Sequence, residues 1–297
     1  MPFKHPLNLH RKKQNKKTAT VIIVGFIIVA FVLSSLSILA GIYFWKWDNP
    51  TIEKLSKVVP LPIAYIDKHL IWLDDFYIDL NALKKFYSKE YAEDQLPITE
   101  LKLQTYYKLI EKEIILDFAD ENNLKATDEE ISQQISVISQ QSEDQSLDEL
   151  TQDMFGWSFE NFVERVIKYQ ILANKTNSFI LNSQEWQVQP YSQIQDYNQR
   201  LASGENFDDL SNYIGWFNEP DISDTILNQL KNTETGEYSD IIETDYGFYI
   251  IKVIDTLETS DGTTNYELSQ ILVKKNDLGT YVETKLKNSR LYKFINI

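Results

Sequence analysis

Apolar positions along the chain change their period several times. From 18 to 45 the run TATVIIVGFIIVAFVLSSLSILAGIYFW carries no charge, and about 20 such residues suffice for a helix to cross a bilayer. A polar stretch containing Pro50 follows. At 60–73 two short apolar runs flank Asp67, Lys68 and His69, the pattern of a small hairpin. From 74 to about 181 the spacing becomes three and four, with Leu101, Tyr107, Leu109, Ile110, Ile114, Ile115 and Phe118 on one helix stripe.

Local punctuation divides that helical region. Thr127 with Glu130, and Ser146 with Glu149, form capping boxes that start two further helices. The Ser-, Gln- and Glu-rich stretch 132–146 reads as a solvated helix face plus a loop. Gly156 breaks the chain, and Ser158 can N-cap a helix carrying Phe162, Val166, Tyr169, Ile171 and Leu172. Pro190 precedes a short helix over 191–202, which Gly204 ends. β-type runs follow at 214–217, 241–244, 248–254 and 266–273, and the Asp261-Gly262 turn between the last two predicts an antiparallel hairpin. An amphipathic helix over 278–295 closes the chain. No internal repeat is visible.

The expected fold class is therefore α+β. It divides into a basic tail at 1–17, a transmembrane anchor at 18–45, a linker at 46–59, a helical domain at 60–188, a small antiparallel-sheet domain at 189–275 and a C-terminal helix at 276–297.

Charge sets the orientation. Lys4, Arg11, Lys12, Lys13, Lys16 and Lys17 precede the apolar run, and the first acid is Asp48. Basic flanks stay cytoplasmic, and Tyr43, Trp45 and Trp47 fall where an outer aromatic belt belongs. The expectation is a single-pass protein of the cell membrane with a cytoplasmic N-terminus and an extracytoplasmic body. A cleaved signal peptide is the competing reading. Its apolar region would span about 7–15 residues before a small-x-small cleavage site; here the run is about twice that, and Leu39 sits beside Ile38 and Ala40.

Removing the six tail residues from 29 Lys and Arg leaves 23 against 44 Asp and Glu, a net of −21 for the rest. Such a body repels phosphate backbones, so nucleic acid is excluded as a partner. With no cysteine, disulfides, thiolate catalysis and Cys-based zinc sites are excluded too. His69 is the one histidine after position 10 and reads as a turn residue, which leaves neither a Ser-His-Asp triad nor a firm metal site. The acids Asp128, Glu129, Glu130, Asp208 and Asp209 fall in helix first turns, where carboxylates oppose the dipole. Nine glycines form no phosphate loop. Neither a cofactor nor a metal is expected.

Four segments carry a resemblance. GENFDDL at 204–210, IGWF at 214–217, TGEYS at 235–239 and TDYGFYIIKV at 244–253 resemble in order and spacing the parvulin-type (PpiC, rotamase) peptidyl-prolyl isomerases. The helical half, through EKEIILDFA at 111–119, NLKATDEEI at 123–131 and GWSFENF at 156–162, resembles the N-terminal domain of SurA-like and PrsA-like foldases. The resemblance implies a helical foldase domain followed by a parvulin-like domain.

Departures from the parvulin pattern bear on the chemistry. One family histidine position holds Tyr249. The other falls on Gln270, in the run SQILV that follows the domain instead of preceding it. The loop that carries an Asp or Cys in the family is cut to 211–213, and the proline-pocket Met and Phe positions hold Ile222 and Ile226. A hairpin of 248–254 with 267–274 would supply the missing strand, as a circular permutation, with Tyr249 and Gln270 across from each other.

Prolyl isomerisation makes and breaks no covalent bond, so lost histidines do not formally exclude it; they do remove the hydrogen-bond network that organises the pocket. No catalytic residue is assigned. Trp216, Phe217, Ile222, Ile226, Tyr249 and Gln270 are the candidates for binding extended peptide. Alternation along strands makes Ile251 and Trp216 core residues, and leaves Phe217, Ile222 and Tyr249 as either core or lining. The function expected is a membrane-anchored foldase-like chaperone for unfolded exported polypeptides. The alternatives are an active prolyl isomerase, and a surface scaffold docking one partner.

Overall fold

The structure, a computed structural model, describes residue 30 and residues 33–45, 50–141, 145–260 and 262–295. Most of the expected anchor, the whole basic tail and Trp47 lie outside the described residues. Within them 33–43 is helical, and no helix among the described residues is long and apolar enough to cross a membrane.

A short helix α1 (Pro50–Ser56) leads into the hairpin β1 (Pro62–Ile66) and β2 (His69–Trp72). The hairpin turns at Asp67, which adopts φ +50°, a left-handed conformation that Asp and Asn tolerate best among residues with a Cβ. Five helical elements follow: α2 (Leu73–Tyr87), α3 (Ile98–Glu121), α4 (Asp128–Gln141), α5 (Leu147–Phe155) and α6 (Phe159–Phe162). Through a π-helical turn (Val163–Ile167), α6 continues into α7 (Lys168–Asn182).

The capping expectations hold. Thr127 and Glu130 exchange backbone-to-side-chain hydrogen bonds, as do Ser146 and Glu149. Gly156 ends α5 in the left-handed conformation, and Ser158 caps α6. The stripe along α3 needs one correction. Tyr106 is buried, whereas Tyr107 points to solvent, because an inward set built on Leu109, Ile110 and Phe118 takes position 106 and leaves 107 about a hundred degrees round the helix.

Helix α8 (Gln184–Ala202) runs straight through Pro190 instead of starting after it. Proline cannot donate to the carbonyl four residues earlier, here Trp186, and the side-chain amide of Asn276 donates to that oxygen at 2.6 Å. Beyond Gly204, at φ +92°, come α9 (Phe207–Leu210), β3 (Asn212–Asn218), α10 (Asp224–Leu230), β4 (Ile242–Glu243), β5 (Gly247–Glu258) and β6 (Thr264–Lys274). The chain ends with α11 (Leu278–Asn288) and β7 (Leu291–Lys293).

The C-terminal helix thus stops at Asn288, short of the expected 295. Asp67 explains the stop: its carboxylate accepts from Ser289 Oγ at 2.7 Å and from the Arg290 amide at 3.1 Å. This pulls the chain into an extended course beside the hairpin. One sheet has the order β2-β1-β7, and the other β3-β6-β5-β4, all antiparallel.

Two bodies of core result. The first joins Ile42, Ile52, Ile63, Ile66 and Ile71 to Leu80, Ile110 and Ile114 across α2 and α3. The second straddles the four-stranded sheet. Strand alternation sends Phe248, Ile250, Ile271 and Val273 towards α8 and Phe207, and Ile251, Val253 and Leu268 towards α10.

Candidate functional site

The motif residues of the sheet domain turn out to be architectural. Gly247 lies so close to β6 that an added Cβ would sit 2.6 Å from the Val273 carbonyl oxygen. The Thr244 hydroxyl accepts from the Tyr246 and Gly247 amides, closing the turn that leads into β5. Ser239 is buried; its Oγ accepts from the Ile251 amide at 3.0 Å and donates to the Asp240 carbonyl. Gly236, at φ +94°, donates its amide to Val253, so 236–239 runs against β5 as an edge. Phe207 is buried under α8 and stacks on Tyr238 at 5.5 Å.

On the opposite face the sheet meets α10. Phe217 from β3, Tyr249 from β5, and Ile222 and Ile226 from α10 and its approach are half-buried and pack on the core of Ile251, Val253, Leu268 and Leu230. Four of the six candidate residues therefore share one apolar surface. α10 is held there at its C-terminal end by Lys231, whose Nζ pairs with Glu219 at 2.6 Å, while Glu219 also accepts from the Thr264 amide. Burial pushes the Tyr249 hydroxyl above its ordinary range, opposed by its hydrogen bond with Thr244.

Two candidates sit differently. In the β5–β6 ladder Tyr249 faces Leu272, and Gln270 faces Ile251. The expected Tyr249–Gln270 pairing is offset by two residues, which keeps both on the same face but on a diagonal. Gln270 is half-buried between Ile251 on one side and Asn212 on the other. Trp216 is corrected more fully. It lies on the other face, opposite Glu267, and is 48% exposed. A bulge at Ile214 shifts the register between Tyr213 and Gly215, and one extra residue exchanges inward and outward positions along the rest of a strand.

Among the described residues at least three concavities lie outside this surface. A cleft of about 510 Å³ opens between the α7–α8 junction and the sheet, with Gln187, Val188 and Tyr191 facing Glu243, Phe248 and Lys275. A second of about 510 Å³ lies beside Phe118, Trp186 and Tyr281; Phe118 and Trp186 meet the Tyr281 ring edge to face, and burial pushes the Tyr281 hydroxyl up to about 12. The third, about 240 Å³, is in the helical domain beside Leu83, Phe155, Trp157 and Arg165.

The sequence reading missed Arg165 altogether. Its guanidinium spans Asp75 at 2.6 Å and Asp79 at 2.7 Å, tying the π-helical turn to α2. Burial raises the Asp79 carboxyl, and Arg165 works against that rise. The partners lie 90 and 86 residues apart, so no local pattern announces them. His69 also differs from expectation. It opens β2 rather than lying in the turn, and its Nε2 is 3.0 Å from the Asp117 carboxylate, with Glu113 at 3.7 Å from Nδ1. Among the described residues no group of three or more His, Cys, Asp or Glu is placed to hold a metal ion.

A helical unit closed by a β-hairpin, followed by a small antiparallel sheet domain, defines the class of architecture. Residues 7–155 match the family described as SurA-like N-terminal domain, half of the chain, and the protein belongs to that family. No curated protein matches the chain. Among solved structures it is similar to a crystal structure of the foldase protein PrsA from Lactococcus lactis, at 14% identity over 76% of this chain and 84% of that one, with a TM-score of 0.27.

Proposed function

We propose that this protein is a membrane-anchored, extracytoplasmic chaperone of the foldase type, which holds unfolded exported polypeptide against a degenerate parvulin-like module. The observation that carries the reading is the half-buried apolar surface of Phe217, Ile222, Ile226 and Tyr249, in a chain whose first half belongs to the SurA-like N-terminal domain family. An extended peptide needs an apolar floor with polar groups at its margin, and Gln270 and Asn212 lie beside this floor. The cleft between α8 and the sheet gives a client a second place to lodge between the two halves of the body.

Holding, more than isomerisation, suits these residues. The family histidine positions carry Tyr249 and Gln270, and neither titrates as an imidazole does. The four parvulin-like segments have structural roles in turn, edge and core, which supports kinship of fold independently of catalysis. The uncharged run at 18–45 and its basic flank support a single-span anchor with the body outside.

The test compares two assays on the full chain. One measures suppression of client aggregation, and the other measures acceleration of a proline-limited refolding step. The proposal expects suppression with little acceleration. Acceleration that Tyr249→Ala abolishes would establish the isomerase instead, and failure in both assays would remove the foldase reading.

A further inference from the structure

We propose that the body rests flush on the bilayer, with the turn at Val58 and Val59 and the side chain of Phe44 seated in the lipid interface. The proposal builds on the membrane-anchor reading and adds a second, surface-bound contact to it. Two independent observations carry it.

The first is where the anchor helix ends. Leu33, Leu36 and Leu39 are exposed on the helical stretch 33–43, yet Ile42 on the next turn is only 4% exposed and packs with Ile52, Leu61 and Ile63. The Tyr43 hydroxyl donates to the Pro62 carbonyl at 3.0 Å, so the end of this helix is part of the folded body. Counting the about 20 residues that a span requires from residue 18 reaches residue 37 or a little beyond. The distance from there to Ile42 is about one helical turn. No slack remains between bilayer and core, and a body joined in this way stands against the membrane surface.

The second is what the fold leaves bare at that end. Val58 is 82% exposed and Phe44 is 81% exposed, with Val59 and Trp45 also open. The valines follow α1, and their amides donate to the Leu55 carbonyl at 3.0 and 2.9 Å, so the turn that presents them is fixed. Two adjacent β-branched apolar residues on a rigid exposed turn serve no core. Exposed Lys54 and Lys57 lie beside them, and lysine stems reach along apolar surface to place their ammonium groups among lipid headgroups. The rest of the body is acidic, and anionic headgroups repel it, so this end is where contact is favourable.

The absence of cysteine makes the test direct. Single-cysteine full-length variants Val58→Cys, Leu36→Cys and Glu258→Cys are spin-labelled and reconstituted in phosphatidylcholine and phosphatidylglycerol vesicles. Collision with oxygen, which partitions into lipid, is compared with collision with a polar nickel chelate. The proposal expects the oxygen-to-nickel ratio at position 58 to approach that at 36 and to exceed that at 258 several-fold. A ratio at 58 like that at 258, with 36 still in lipid, overturns the flush contact while leaving the anchor intact. A water-like ratio at 36 overturns the anchor reading and this inference together.

Discussion

Asn276 donates its side-chain amide to the carbonyl oxygen of Trp186 at 2.6 Å, filling the place of the hydrogen bond that Pro190 cannot make. The chain leaving β6 thereby secures the weak point of the helix that carries the sheet. Gln187 joins the same knot. Its amide nitrogen donates to the Ile180 and Asn276 carbonyls, and its oxygen accepts from the Asn276 amide.

The arrangement predicts a rescue. Asn276→Ala leaves the Trp186 carbonyl without its donor, at a cost of about 1–3 kcal/mol. Pro190→Ala restores a backbone N–H four residues on, so the double variant recovers most of the loss. Urea unfolding of the four proteins of this cycle checks it. Strictly additive losses would show that Asn276 acts elsewhere.

Asp67 clamps the C-terminus to the hairpin. Its carboxyl is held below the usual carboxylate range chiefly by the Ser289 hydroxyl, helped by the Arg290 amide and Lys285. A carboxylate with a depressed folded pKa contributes stability above its unfolded value and loses that contribution as pH falls through the folded one. Asp67→Asn keeps a residue that tolerates φ +50° and removes the charge. It should cost about 1–2 kcal/mol at neutral pH and nothing at a pH below the folded pKa. Thermal unfolding of both proteins from neutral to strongly acidic pH reads the convergence.

What the sequence discloses here follows the range of each interaction. The capping boxes at Thr127 and Ser146, the break at Gly156 and the β5–β6 hairpin depend on residues within a few positions of one another, and all were legible. The packing of Phe217, Ile222, Ile226 and Tyr249 on one cluster follows the spacing of the parvulin-like pattern, which is what the resemblance implies for these positions. The position of Trp216 was not legible, because a single bulged residue at Ile214 exchanges faces without leaving a mark in the apolar pattern. Nor was the helix through Pro190, whose donor arrives from 90 residues away. β7 was hidden for the same reason: the apolar residues after Asn288 fit a helix as well as a strand, and the choice is made by Asp67.

Arg165 lets the cost of a paired charge be separated from the cost of its loss. Arg165→Met removes the guanidinium and leaves Asp75 and Asp79 facing each other over α2, destabilising the helical domain by about 3 kcal/mol at neutral pH. Burial already raises the Asp79 carboxyl, and the variant raises it further. A carboxyl with a raised folded pKa makes the fold lose stability as pH rises through the window between its unfolded and folded values. The penalty of Arg165→Met should therefore shrink on acidification. Adding Asp79→Leu should recover part of the loss at neutral pH, and denaturant midpoints at two pH values measure both effects.

The apolar surface on the α10 side of the sheet is the feature on which client holding depends, and its outer members can be changed without emptying the core. Ile222, on the approach to α10, and Ile226, within it, are half-buried, whereas Leu230 at the end of that helix is sealed. Ile222→Ser and Ile226→Ser thus remove apolar surface from the floor while Leu230, Ile251 and Val253 keep the helix seated. Truncating well-placed apolar contacts costs about 1–2 kcal/mol of binding each, so each change should weaken binding of an extended apolar peptide by about tenfold. Near-UV circular dichroism should be unchanged. Trp216→Ser is the control, removing a larger apolar side chain from the opposite face of the sheet. Equal losses from all three variants would place the client elsewhere on the body.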